Sequence, residues 1–295
     1  MPLIRLSPCK VNLLLNILGR RADGFHELET LMQPVGLTDV LSFEPGSKGI
    51  QLTCSNPHLP TDQGNLVHRA ATGFFQAARI EAGMGIHLEK RIPMAAGLGG
   101  GSGNAATTLL ALNELFGQPL APDALSQLAA TLGSDVPFFL QSKPALATGR
   151  GERVEPLAPF AALRGVTLLL IHPGFGIATP WAYRELARFP AALNGRPGRA
   201  RELVSLLQSG DLRSAGAAFY NSLEAPALDK YPILAMYQEF LREHGAAATL
   251  MSGSGSTTFA LFGDLAAGEQ ARDKFLVKFG PNCWTALVPA DAPTQ

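Results

Sequence analysis

At 295 residues the chain is long enough for roughly two domains, and 46% hydrophobic against 16% charged residues excludes a disordered chain. Its 24 basic residues balance 24 acidic ones, which excludes an overall field that would draw in nucleic acid or an anionic membrane. Cys9, Cys54 and Cys283 are odd in number and far apart, fitting neither a disulfide framework nor a zinc site.

Residues 9–18, CKVNLLLNIL, alternate as a strand that buries Val11, Leu13, Leu15 and Ile17 and carries Lys10, Asn12, Leu14 and Asn16 on its other face. On spacing alone Lys10 reads as a solvated strand lysine. GRRADGFHELETLMQ reads as a loop, and DVLSFEP and GIQLTCS as strands. Helical spacing follows over 65–82 through Leu66, Ala70, Phe74 and Ala77, and GIHLEKRIP alternates again. After a glycine-rich loop, Ala105, Leu109, Leu112 and Phe116 form the apolar stripe of a helix. APDALSQLAATLG is a further helix, and PALATGRGERVEPL a strand, glycine turn and strand. Two prolines near 156–163 suggest a boundary, giving domains 1–160 and 161–295. The second half opens on a buried strand, GVTLLLIHP. Helical patterns follow at 200–219 and 227–244, then two strands around a glycine-serine turn in AATLMSGSGSTTFALF and a last helix, GEQARDKFLVKF. Gly-Arg-Pro-Gly at 195–198 reads as a surface loop. Without regular strand-helix alternation, the class is α+β in two domains. VNLLLNIL is shorter than the about 20 apolar residues a bilayer span needs, and no leader pattern precedes it, so a soluble cytoplasmic protein is expected.

PMAAGLGGGSGNAATTLL puts five glycines into the seven positions from Gly97 to Gly103, directly before a helical pattern. A helix start presents unpaired N–H groups and a positive dipole end, and glycines let backbone approach phosphate oxygens. Ser102 could cap the helix or offer its hydroxyl to phosphate or Mg²⁺. No Gly-Lys pair exists in the chain, which excludes the P-loop. GSGNAA, residues 101–106, matches the loose dinucleotide pattern of a nicotinamide dehydrogenase, but the preceding strand pattern stops at Pro93, too early for the tight turn that pattern requires.

Taken together, SPCKVNLLLNILGRRADGFHELET, PMAAGLGGGSGNAATTLLALN and LMSGSGSTTFALF resemble, in order, the three motifs of the GHMP kinases. GRRADGFHEL, LGSDVPFFL, HPGFGIATPWAY and FYNSLE point, within that family, to a branch acting on a sugar alcohol linked to cytidine diphosphate. The resemblance implies a ribosomal-protein-S5-like N-terminal domain and a ferredoxin-like C-terminal domain. It implies a cytoplasmic enzyme, monomer or homodimer, that uses ATP and Mg²⁺ to phosphorylate a tertiary hydroxyl on a route to isoprenoids, with no dedicated protein metal site. Another small-molecule kinase of the family, or a non-catalytic binding relative, is the alternative.

Carried residue by residue, the resemblance makes Asp135 the base that accepts the hydroxyl proton and Lys10 the cation that keeps it ionised and offsets phosphoryl charge. Alone, Asp135 would read as a turn carboxylate. Pro93, Met94, Ala95, Ala96, Gly97, Leu98, Gly99, Gly100, Gly101, Ser102 and Gly103 would form the ATP loop, with Asn65 near the adenine or simply capping its helix. Asn12 would meet substrate oxygens, Thr179 would contact substrate, and Phe25, His26 and Tyr183 would hold the cytosine. Stacking of that kind is worth about 1–3 kcal/mol per base. The family often has tyrosine at the position of Phe25 and serine at that of Gly103, so those two side chains offer no hydroxyl contact here.

Overall fold

The computed structural model describes residues 2–46 and 49–291. By internal contacts the chain forms two compact units, neither continuous in sequence. Met1–Cys9, Leu37–Pro93 and Gly99–Ser142 make the first, and Lys10–Gly36, Met94–Leu98 and Lys143–Gln295 the second. The boundary expected near 156–163 falls inside the second unit. Two long strands, β1 (Leu3–Arg20) and β2 (His26–Gly46), contribute to both.

In the first unit, β3 (Ile50–Cys54) pairs in parallel with β4 (Gly83–Glu89), and β4 pairs antiparallel with β2 in the register Val40↔Glu89 to Gly46↔Gly83. Helices α1 (Leu66–Ala78), α2 (Gly100–Leu115) and α3 (Pro122–Leu132) pack on one another, and a short 3₁₀ helix, Pro137–Leu140, follows. GSGNAA lies inside α2 rather than at a strand-to-helix turn, so the dinucleotide match has no structural counterpart. The fixed point of this unit is Asp39, whose side chain is fully buried. Its Oδ1 accepts from the backbone N–H groups of Arg91 at 2.7 Å and Ile92 at 2.8 Å. Its Oδ2 accepts from Lys90 Nζ at 2.5 Å and Asn104 Nδ2 at 2.9 Å. One carboxylate thus pins both the segment entering the glycine loop and the helix leaving it.

The second unit holds β5 (Ala145–Gly149), β6 (Arg153–Pro156), β7 (Thr167–His172), α4 (Thr179–Glu185), α5 (Pro190–Leu193), α6 (Arg199–Ser209) and α7 (Leu212–Ala217). It continues with β8 (Tyr220–Asn221), α8 (Glu224–Lys230), α9 (Pro232–Glu243), β9 (Ala248–Met251), β10 (Thr258–Phe262), α10 (Leu265–Phe279) and β11 (Trp284–Pro289). An antiparallel sheet of order β11-β7-β10-β9 carries α9 and α10, and its core gathers Leu169, Ile171 and Phe262 with Leu234, Leu241 and Phe275. Each such side chain contributes about 1.5–3 kcal/mol on burial. β1 pairs in parallel with β8, and β2 pairs antiparallel with β5 from Leu28↔Gly149 to Met32↔Ala145.

Three expectations need correction. Residues 26–33 are strand, not loop. The polar Glu29 can be buried there because its carboxylate accepts from Asn16 Nδ2 at 2.9 Å and from the N–H groups of Gly198 at 3.1 Å and Ala200 at 3.2 Å, the start of α6. β1 buries both faces over residues 9–17, with Lys10 and Asn12 each 3% exposed. The 195–198 segment is the surface loop expected, with Arg196 and Pro197 exposed, and it is tied to β1 by Gly195 N donating to Ile17 O at 2.7 Å and Asn16 Nδ2 to Arg196 O at 2.8 Å. Each long C-terminal helical pattern splits in two. Gly210 (φ +86°) and the capping carboxylate of Asp211 separate α6 from α7, and Pro232 opens α9 after α8.

Asp39→Ala leaves Lys90 buried without its counter-ion, so unfolding stability should fall by about 3–5 kcal/mol. A urea midpoint close to that of the unaltered protein would show that the pair is not the fixed point described.

Candidate active site

The glycine loop is held through its carbonyl oxygens. Within the second unit, Gly97 O accepts from Lys10 Nζ at 3.1 Å and from Ser252 Oγ at 2.9 Å. Leu98 O accepts from Lys10 N at 3.0 Å, and Ala96 O from Thr257 N at 3.2 Å. Three successive acceptors are therefore occupied by protein donors, which withdraws their negative ends from any anion the loop receives. Gly97 has φ +78°, and a Cβ built there would lie 2.0 Å from Ser252 O, so the approach requires glycine. Ala95 also takes positive φ, +51°, at a cost of about 1–2 kcal/mol for a residue with a Cβ.

Lys10 is buried, and its ammonium donates to Asn12 Oδ1 at 2.6 Å as well as to Gly97 O. Asn12 Nδ2 in turn donates to Thr30 Oγ1 at 2.8 Å. The expected substrate contact from Asn12 thus competes with a positioning duty, since both atoms of its amide already have protein partners. Ser252, which spacing did not single out within LMSGSGS, bridges Asn12 N at 3.3 Å and Gly97 O. The 251–253 backbone is fixed from behind by FYNSLE. Asn221 Nδ2 donates to Met251 O and Gly253 O, both at 2.8 Å, and Glu224 Oε1 accepts from Met251 N at 2.8 Å. Burial raises the Glu224 carboxyl above the usual carboxylate range.

In the first unit, α2 starts at Gly100 after Gly99 (φ +68°), with no side-chain cap and no acidic residue in its first turn. Ser102 therefore lies in that turn rather than capping it. Uncapped amides at the positive end of a sixteen-residue helix suit an anion, so the residues present fit a nucleotide's phosphates. Gly103 faces inward: a Cβ there would lie 2.4 Å from Pro8 O, so glycine lets α2 settle onto β1. Asn65 Oδ1 caps α1 by accepting from Val67 N at 2.9 Å. Asp135 is half-buried in the turn between α3 and the 3₁₀ helix.

The remaining expected residues belong to the second unit. His26 and Tyr183 rings lie 5.0 Å apart with a 39° tilt. Burial first, and the charge of Arg20 second, hold the His26 imidazole below its ordinary range, so it stays neutral further into acid. Phe25 is 54% exposed, with the Arg150 guanidinium 4.7 Å above its ring centroid. Thr179 opens α4, its hydroxyl 2.9 Å from Ser254 Oγ. A cavity of about 420 Å³ lined by Glu29, Thr148, Arg153 and Arg201 contains none of the expected site residues. Among the described residues no group of three or more His, Cys, Asp or Glu could hold a metal, and no helix is long and apolar enough to cross a membrane.

Residues 65–143 match the GHMP kinases N terminal domain, and residues 203–282 the GHMP kinases C terminal domain. A relative from Pelotomaculum thermopropionicum, described as 4-diphosphocytidyl-2-C-methyl-D-erythritol kinase, is 42% identical over 93% of this chain and 94% of its own. One of the same description from Synechococcus sp. (strain JA-3-3Ab) is 40% identical over 93% and 89%. A crystal structure of 4-(cytidine 5'-diphospho)-2C-methyl-D-erythritol kinase is 37% identical with a TM-score of 0.78, covering 97% of this chain and 99% of that one. Homoserine kinase from Cytophaga hutchinsonii, at 21% identity and a TM-score of 0.74 over 97% and 93%, shares the fold.

Gly97→Ala should lower affinity for an ATP analogue roughly ten-fold or more, as expected from the about 1–3 kcal/mol cost of overpacking. Calorimetric titration measures it, with circular dichroism to establish folding. Unchanged affinity would mean that the loop's close approach to Ser252 has no part in nucleotide binding.

Proposed function

Because the chain belongs to the GHMP kinases, and within them to the 4-diphosphocytidyl-2-C-methyl-D-erythritol kinases, we propose that it transfers the ATP γ-phosphoryl group to the C2 hydroxyl of that cytidine-diphosphate-linked tetritol on the non-mevalonate route to isoprenoids. The observation carrying this reading is identity near 40% along almost the whole chain, together with a glycine loop strapped to a buried lysine. Residues 1–160 and 161–295 are assigned to the two family domains, in keeping with the matched spans.

In this reading the uncapped amides of the first α2 turn bind the nucleotide's phosphates, and Pro93 to Leu98 and Asn65 are the other residues the resemblance assigns to the nucleotide. Phosphoryl transfer passes through a loose transition state, so positioning and charge do most of the work. The Lys10 ammonium, oriented by Asn12 Oδ1 and Gly97 O, is the cation proposed to offset charge on the transferring group. Asp135 accepts the hydroxyl proton late, when little basicity is needed. Mg²⁺ neutralises charge on the phosphate oxygens when bound. The Ser102 hydroxyl is the protein group proposed to help hold it.

Phe25 and Tyr183 would flank the cytosine, and Thr179 would meet the acceptor. A neutral His26 presents one donor and one acceptor nitrogen, matching the mixed edge of the base. The enzyme is read as cytoplasmic, a monomer or homodimer.

A coupled assay for ADP release tests the reading. The cytidylylated acceptor should turn over far faster than methylerythritol phosphate lacking the cytidine group, and Asp135→Asn should abolish turnover while ATP binding persists. Equal rates on both acceptors would overturn the substrate assignment, and undiminished turnover in Asp135→Asn would remove its role as base.

A further inference from the structure

The loop between β1 and β2 closes on itself. Arg21 reaches Glu27 at 2.5 Å and Asp23 at 3.2 Å, and Asp23 Oδ1 accepts from Phe25 N at 3.1 Å. These contacts fix the backbone at Phe25, but none of them holds its ring, which stands 54% exposed. The ring meets a cation from elsewhere in the chain: the Arg150 guanidinium, at 4.7 Å. Arg150 sits at the tip of the β5–β6 turn between Gly149 (φ +75°) and Gly151 (φ +106°). Glu152 Oε2 accepts from Arg150 N at 2.6 Å and lies 4.0 Å from its Nε. Because Gly149 is in register with Leu28, that tip projects just where β2 begins at His26.

An aromatic ring has two faces. With a planar guanidinium on one, only the other is open to a stacked base, and the ring is held ready for it. We infer that Arg150 is a positioning residue for acceptor recognition, which clamps Phe25 so that a single face is presented to the nucleobase. The inference deepens the proposed function and rests on its placement of the base against Phe25.

Steady-state kinetics with ATP and the cytidylylated acceptor test it on Arg150→Ala, Arg150→Lys, Phe25→Ala and the Arg150→Ala/Phe25→Ala pair. Arg150→Ala should raise acceptor KM about two- to five-fold, the scale of an exposed cation–π contact, leaving kcat and ATP KM in place. Arg150→Lys, keeping charge without the plane, should fall between. The double variant should be no worse than Phe25→Ala alone, since the arginine acts through the ring. An unchanged acceptor KM in Arg150→Ala beside a raised one in Phe25→Ala, or additive losses in the pair, would overturn the inference alone. An unchanged acceptor KM in Phe25→Ala would instead overturn the base-pocket reading, and this inference with it.

Discussion

The carbonyl oxygen of Gly97 takes a hydrogen bond from a buried ammonium and another from a buried hydroxyl, and the placement of the glycine loop follows from that pair. Residues 10, 97 and 252 are remote in sequence. Strand β1 delivers the first and the turn after β9 the last, and the loop is drawn down between them because its oxygen is the acceptor both need. Taking a lysine ammonium out of water is costly unless other polar groups replace the water it loses. Oxygens from Gly97 and Asn12 do part of that here.

Support for this arrangement is layered. Asn221 and Glu224 hold the backbone on either side of Ser252, while Thr30 holds the amide of Asn12. In the other unit Asp39 does comparable work on the two flanks of the loop, binding residues 90–92 and Asn104. None of these supporting groups has to touch a ligand. Their energetic weight lies in giving buried donors and acceptors their partners, which is what makes the loop geometry single-valued.

The glycine loop is legible in the sequence because five glycines before a helical stripe have few other uses, and β4, β5, β6, β7 and α3 follow from periodicity. Strand 26–33 is hidden because its polar residues depend on distant partners: Glu29 is buried only by virtue of Gly198, Ala200 and Asn16. Lys10 looks solvated for a related reason: Asn12 lies on its own strand face, but nothing local announces the carbonyl of Gly97 that also receives it. Ser252 carries a weak signal, one serine among three in a glycine-serine turn, and alternation does not say which one faces inward. Arg150 has none, because a contact between two turns leaves no periodic trace. The roles of Lys10, Asp135, Phe25 and His26 come from resemblance rather than from spacing.

Backbone amide exchange across residues 97–103, followed with and without a non-hydrolysable ATP analogue, tests the central claim most directly. The uncapped amides of Gly100, Gly101 and Ser102 should exchange readily in the free protein and slow markedly once the analogue is bound. Exchange there that stays fast under saturating analogue, with protection arising elsewhere, would contradict the account.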